Sequence, residues 1–261
     1  MDLVDVLVDL GRQLGTHPDK IVVLEEGFVA GKVDGHVVIS RPGARLVSLD
    51  RGDLIHFNPA PLLELLKADQ PKRPAEDEAL LASRLQDDGP MPSADAYLVT
   101  ELFERCGGRM IVQVQPVAIN QILASPRARQ FADRRITLSE VFSCGLATTL
   151  VPYADPGTAL AKEVRTKVNL WRDRVRADPK VILLQNNGMI VLGDSPEELV
   201  ENIEKMVRAA EVFVGASLLG GPQFLTVANI GRAMEYRRGS DVNGANQANV
   251  PQAVPSELAN S

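Results

Sequence analysis

The stretch that most constrains how this chain can fold lies near its C-terminal third. Two short apolar runs, Val181–Leu184 and Met189–Leu192, flank Asn187-Gly188 and lead into a marked helix start. Asn-Gly is a favoured two-residue hairpin turn because both positions tolerate positive φ, so the two runs read as paired strands. Ser195-Pro196-Glu197-Glu198 then has the form of a capping box with proline at the first helical position. Leu199, Ile203, Met206, Val207, Ala210, Phe213 and Val214 recur on one helical face, which ends at Gly220-Gly221-Pro222. A hairpin followed by a long amphipathic helix needs a sheet whose face that helix can cover.

The rest of the chain supplies such a sheet. Val4 to Leu14 carries a helical stripe, and Ile21–Leu24 and His36–Ser40 read as strands joined by hairpins, with Asp34-Gly35 as a turn. Tyr97–Arg105 reads as a helix stopped by Gly107-Gly108, and Arg109–Gln115 as a strand. A helix near Val117–Ala124, a strand ending at Val151 and a helix over Thr158–Val175 follow. Residues 59–91 are expected to form an irregular surface excursion, Pro-rich at Pro71 and Pro74, with a polar helix around Glu76–Gln86. From Gly239 the composition turns to Asn, Gln, Ala and Ser, which reads as a disordered tail over 239–261. The expected architecture is a single α/β domain over 1–238, with a central, mostly antiparallel sheet flanked by helices in three layers.

Composition narrows the function classes. A formal charge of −6 argues against a nucleic-acid binder, which normally presents a basic face. Cys106 and Cys144, the only two cysteines, are too few for a disulfide framework or a zinc site and read as reduced thiols in a cytoplasmic chain. The N-terminal residues lack the pattern of a signal peptide, and no apolar run reaches the length of a membrane span. No Gly-x-Ser-x-Gly, P-loop or Rossmann fingerprint is present.

Six segments, in register, carry a family resemblance. Val151-Pro152-Tyr153-Ala154-Asp155-Pro156-Gly157-Thr158, Leu183-Leu184-Gln185-Asn186-Asn187-Gly188, Pro92-Ser93-Ala94-Asp95, Val112-Gln113-Val114-Gln115, Gly27-Phe28-Val29-Ala30 and Ile39-Ser40-Arg41-Pro42-Gly43 resemble motifs of the class II aldolase/adducin family. In catalytic members, sugar-phosphate aldolases and epimerases, three histidines hold a divalent metal, commonly zinc. The metal polarises a carbonyl and stabilises an enediolate. The resemblance implies that the histidine positions fall here on Gln113, Gln115 and Asn187, and the family glutamate on Asp95. The substrate-pocket counterparts are Phe28, Ala30, Pro42, Gly43, Ser93 and Ala94. Family members commonly form four-fold homotetramers, so the resemblance also implies a homo-oligomer.

A carboxamide oxygen is a hard, weak ligand compared with imidazole, so no cofactor is expected at these positions. Phe28 lacks an amide donor, and Pro42 lacks both a hydroxyl and a backbone N–H. Met110 to Leu150 contains no tyrosine, where the fuculose-phosphate type has an active-site one. The remaining histidines, His17, His36 and His56, lie 19 and 20 residues apart and read as surface or turn residues. Each singled-out residue has a plain structural reading beside the functional one. Asn187 suits the turn, Gln113 and Gln115 the polar face of a strand, and Asp95 a helix N-terminus capped by Ser93; Cys144 suits a buried thiol, and Tyr153 packing at a turn.

Three functional readings follow. The first is a non-catalytic or divergent family member serving as a small-molecule-binding or oligomeric scaffold protein. The alternative is a carbonyl-substrate lyase or epimerase with an altered divalent-metal site, zinc included, built on Asp95, Gln113, Gln115 and Asn187. The last is a metal-free enzyme using Cys144 or a lysine as nucleophile. Neither nucleic acid nor membrane is an expected partner.

Overall fold

A computed structural model describes residues 2–24, 26–86 and 88–241. Its strands are β1 (Gly27–Val33), β2 (His36–Ser40), β3 (Leu54–Phe57), β4 (Met110–Val114), β5 (Thr149–Val151), β6 (Val181–Leu184) and β7 (Met189–Gly193). They form one seven-stranded sheet in the order β3-β2-β1-β4-β7-β6-β5. Every neighbouring pair is antiparallel except β5 with β6. The mostly antiparallel sheet flanked by helices is therefore as expected.

Alternation along β4 divides the two cores. Met110, Val112 and Val114 face a layer containing α1 (Leu3–Gly15), α5 (Val117–Leu123) and α9 (Pro196–Leu218). Ile111 faces the opposite layer, which contains α4 (Asp95–Arg105) and α8 (Thr158–Val175). All five β4 residues are buried, because this strand is central and covered on both sides. Leu199, Ile203, Met206 and Phe213 of α9 are each at most 2% exposed, and each such burial is worth about 1.5–3 kcal/mol.

Several expectations are corrected. Ile21–Leu24 is not a strand: Ile21 is buried, but Leu24 turns at φ +52° and is exposed before β1 begins. The capping box at α9 is half formed. Ser195 Oγ accepts from Glu198 N–H, whereas the Glu198 carboxylate accepts from Asp194 N–H and pairs with Lys180. The β6–β7 turn is not a two-residue one at Asn187-Gly188. Asn187 N–H donates to Leu184 O, and the positive φ values fall on Asn186 and Gly188. The two-residue geometry with positive φ at both positions occurs instead at Asp34-Gly35, between β1 and β2.

Residues 59–91 are not an irregular excursion. They hold α2 (Ala60–Leu65) and α3 (Arg73–Ala82), and they bury Leu62, Leu66 and Leu80 in the second core. Helix α3 starts before Glu76 because Pro74 suits a first turn, where its missing N–H has no partner to lose. Helices α6 (Ala128–Asp133) and α7 (Leu138–Cys144) follow α5. The last helix, α10 (Val227–Asp241), runs past Gly239, so the polar tail cannot begin there; residues 242–261 lie outside the described residues. No helix among the described residues is long and apolar enough to cross a membrane.

Candidate functional site

The sheet gathers most of the singled-out side chains at one end. Strand β4 ends at Val114, with Gln113 inside it and Gln115 just beyond, and β7 begins at Met189 directly opposite Val114. The β6–β7 turn thus lies against Gln115. Gly188 makes this approach possible: a Cβ there would sit 2.4 Å from Val114 O and 2.8 Å from Gln115 Cγ. It also has φ +74°, which glycine adopts without strain.

The contact that results is a cluster of carboxamides. Gln113 Nε2 donates to the Asn187 backbone carbonyl at 3.2 Å, and Gln115 Nε2 donates to Asn187 Oδ1 at 3.3 Å. Asn120 Nδ2, from α5, donates to Gln115 Oε1 at 3.2 Å. Gln113 is only 5% exposed, because its cross-strand neighbours are Phe28 on β1 and Ile190 on β7, both buried in the second core. Ala30, two residues on from Phe28, is fully buried in that core.

Asp95 opens α4, whose C-terminal end leads through Gly107-Gly108 into β4. Helix and strand have similar lengths, so Asp95 and Gln113 lie toward the same end of the layer. Ser93 Oγ donates to Asp95 Oδ2 at 3.1 Å and accepts from Asp95 N–H. Burial pushes the Asp95 carboxyl above the ordinary aspartate range, against the opposing pull of the Ser93 hydroxyl and of its own backbone N–H. The N-cap position falls on Ala94, with no side-chain cap hydrogen bond; Ser93, expected as the cap, lies one residue earlier and accepts from Asp95 N–H from there. Pro42 and Gly43 are exposed. They form a tight turn in which Ala44 N–H donates to Arg41 O and Gly43 has φ +73°, the proline–glycine pattern of a type II turn. Arg41 anchors that turn to Asp53.

The other candidates lie elsewhere. Tyr153 is 61% exposed rather than packed, and its hydroxyl reaches only Asp155. Cys144 is buried, its thiol pushed up to about 12 chiefly by burial, so it is no poised nucleophile. His17 pairs with Glu204. His36 and His56 are not isolated, a contact the sequence reading missed: Nε2 of the first and Nδ1 of the second are 2.9 Å apart. They belong to the opposite end of the sheet, since His36 pairs with Val33 while Gly27 pairs with Val114. Strand register, which sequence spacing does not encode, brings them together. Asn120 was missed as well; its position one helical turn after the strand was the only available signal. Among the described residues, no group of three or more His, Cys, Asp or Glu side chains is placed to hold a metal ion.

Comparison with known proteins supplies the family. The model of the class II aldolase and adducin N-terminal domain matches residues 27–214. No curated protein matches the chain. Among solved structures, the N-terminal class II aldolase domain of a conserved protein from Thermoplasma acidophilum is 22% identical with a TM-score of 0.65, over 82% of this chain and 94% of that one. YgbL from Escherichia coli is 18% identical with a TM-score of 0.63, over 88% and 96% of the two chains. L-fuculose-1-phosphate aldolase from Thermus thermophilus is 15% identical with a TM-score of 0.58, over 85% and 98%. At these identities the solved structures show a shared fold, and with a family match spanning most of the described sheet and its helices, this chain belongs to the class II aldolase and adducin N-terminal domain family.

Proposed function

We propose that this chain is a non-catalytic or divergent family member that binds a polar small molecule at the carboxamide cluster and does not run zinc-dependent aldol cleavage. One observation carries the proposal: Gln113, Gln115, Asn187 and Asn120 hydrogen-bond to one another. Gln115 Oε1 and Asn187 Oδ1 are engaged as acceptors within the cluster, and the remaining donors are amide groups, so the set does not fit zinc, which favours imidazole and thiolate. The pocket counterparts Phe28 and Ala30 add apolar walls, and Pro42-Gly43 serves its own turn. Asp95 is the acid position, with Ser93 and Ala94 leading into it. We take residues 1–238, extended to the end of α10 at Asp241, as one domain because both cores share a single sheet, and the protein as a cytoplasmic homo-oligomer. Exposed Leu24, Leu218, Leu219 and Tyr236 are apolar surface that self-association would cover.

A second reading keeps a lyase or epimerase, and the Asp95 carboxyl favours it. A buried acid whose proton is held above the usual range is the kind of group that exchanges protons with a substrate. Elemental analysis of protein purified from zinc-supplemented cultures, with aldehyde release from a panel of ketose phosphates, separates the two. The expected result is substoichiometric metal and no release. A stoichiometric transition metal lost on Asn187→Leu, with turnover abolished by Asp95→Asn, establishes the second reading instead.

A further inference from the structure

A cavity of about 180 Å³ opens beside β5, the edge strand, between α6 and α8. Helix α8 presents Lys167, Trp171 and Arg174 to it at spacings of four and three residues, hence from one face. Arg129 and Asp133 line it from α6, and Thr149 from β5. Three atoms of these lining side chains, Thr149 Oγ1, Trp171 Nε1 and Arg174 Nε, are buried without a hydrogen-bond partner. Thr149 and Trp171 are 5% and 8% exposed. Each atom exposes too little of itself to meet a molecule in the cavity as the side chains stand, yet buried polar atoms are ordinarily satisfied. Three unmet on residues that line one cavity point to side chains that turn onto a bound acceptor. One water could serve one or two of them, but it would not answer the charge.

That charge is positive on an acidic chain. Arg129, Lys167 and Arg174 face Asp133, which Arg129 engages, and Glu163, which pairs with Lys167 at 3.4 Å. Arg174 also lies over the Trp171 ring at 5.5 Å, which orients its guanidinium. The C-terminal end of α8 contributes a partial negative charge, so the cationic side chains carry the attraction. An indole N–H, a guanidinium N–H and a hydroxyl require an acceptor with several oxygens. The volume holds an oxyanion with a few attached atoms, well below the size of a drug-sized ligand pocket.

We propose that this cavity is a binding site for a phosphoryl group, either inorganic phosphate or a small phosphate monoester, with Arg174, Trp171 and Thr149 as its donors. Along the sheet its edge strand β5 lies three places from β4, which carries Gln113, and further still from the turn at Pro42-Gly43.

Trp171 is the only tryptophan, so its emission reports on this cavity alone. The full chain is titrated with inorganic phosphate and with glycerol phosphate at constant ionic strength, by calorimetry and by Trp171 emission. Saturable heat with a matching emission change is expected, and the tighter of the two ligands identifies the source. Arg174→Gln is expected to weaken binding about tenfold or more, the effect of losing one charge-assisted hydrogen bond. Thr149→Val, which removes only a hydroxyl, should weaken it less and covers the case in which the arginine variant does not fold. Gln113→Leu should leave phosphate binding unchanged, so this inference and the carboxamide-site reading fail separately. Absence of heat through the millimolar range, or binding indifferent to both cavity variants, overturns the proposal.

Discussion

Replacing Glu76 with alanine should unfasten α3 from α8. Helix α8 begins after Gly157, which has φ +104° and no side chain to cap the first turn. The cap arrives from 82 residues earlier: Glu76 Oε1 accepts from Thr158 N–H at 2.9 Å and from the Thr158 hydroxyl. Gly157 is needed for this, because a Cβ there would stand 3.1 Å from Glu76 Oε1 and 3.2 Å from Oε2. A hydrogen bond to a charged group contributes about 1.5–3 kcal/mol. A carboxylate at a helix N-terminus adds roughly 0.3–1 kcal/mol. Alanine removes both and leaves a buried N–H unmet, so Glu76→Ala should cost about 3 kcal/mol. For a domain of this size that lowers Tm by roughly 6–12 °C. Glu76→Gln keeps an acceptor without the charge and should cost about 1 kcal/mol. Urea unfolding gives the free energies, and hydrogen exchange at the start of α8 locates the loss. An alanine variant within about 0.5 kcal/mol of the parent, the scatter of ordinary surface changes, would refute the capping argument.

Other perturbations test the remaining features. The Asp95 carboxyl is raised in the fold, so the native state holds its proton more tightly than the unfolded chain does. Stability should therefore fall as pH rises from the unfolded value of 3.8 through the folded one, and Asp95→Asn should flatten that fall in urea titrations at several pH values. Gly188→Ala should cost about 2–3 kcal/mol, combining left-handed strain with a backbone clash, whereas Gly35→Ala, with φ +86° but no atom within 4 Å, should cost only the strain of about 1 kcal/mol. Cys106 and Cys144 are buried with thiols pushed up to about 12, so an aromatic disulfide reagent at pH 8 should label neither until urea is added.

Local signals were legible where local physics governs. Thr158–Val175 was read to the residue because glycine precedes it and its apolar face is regular. The paired runs around Asn187-Gly188 were legible too, but their turn type was not, since the approach of Gly188 to Val114 and Gln115 sets it from outside the hairpin. Pro74 misled by being read as a loop marker when it opens a helix, and Ile21 shows that a buried residue need not lie in a strand. The candidate site divides the same way. Resemblance singled out Gln113, Gln115 and Asn187. Their mutual hydrogen bonds, across more than 70 residues of sequence, depend on pairing between β4 and β7 that no single segment encodes. The cavity beside β5 combines residues of three elements, none of them forming a motif.

Carboxamides neither gain nor lose protons anywhere in the range where proteins stay folded. A grip made by Gln113, Gln115, Asn187 and Asn120 would consequently be indifferent to acidification, unlike an imidazole cage, which loosens once its rings become cationic. Any proton-linked change in occupancy at that end of the sheet would have to enter through Asp95.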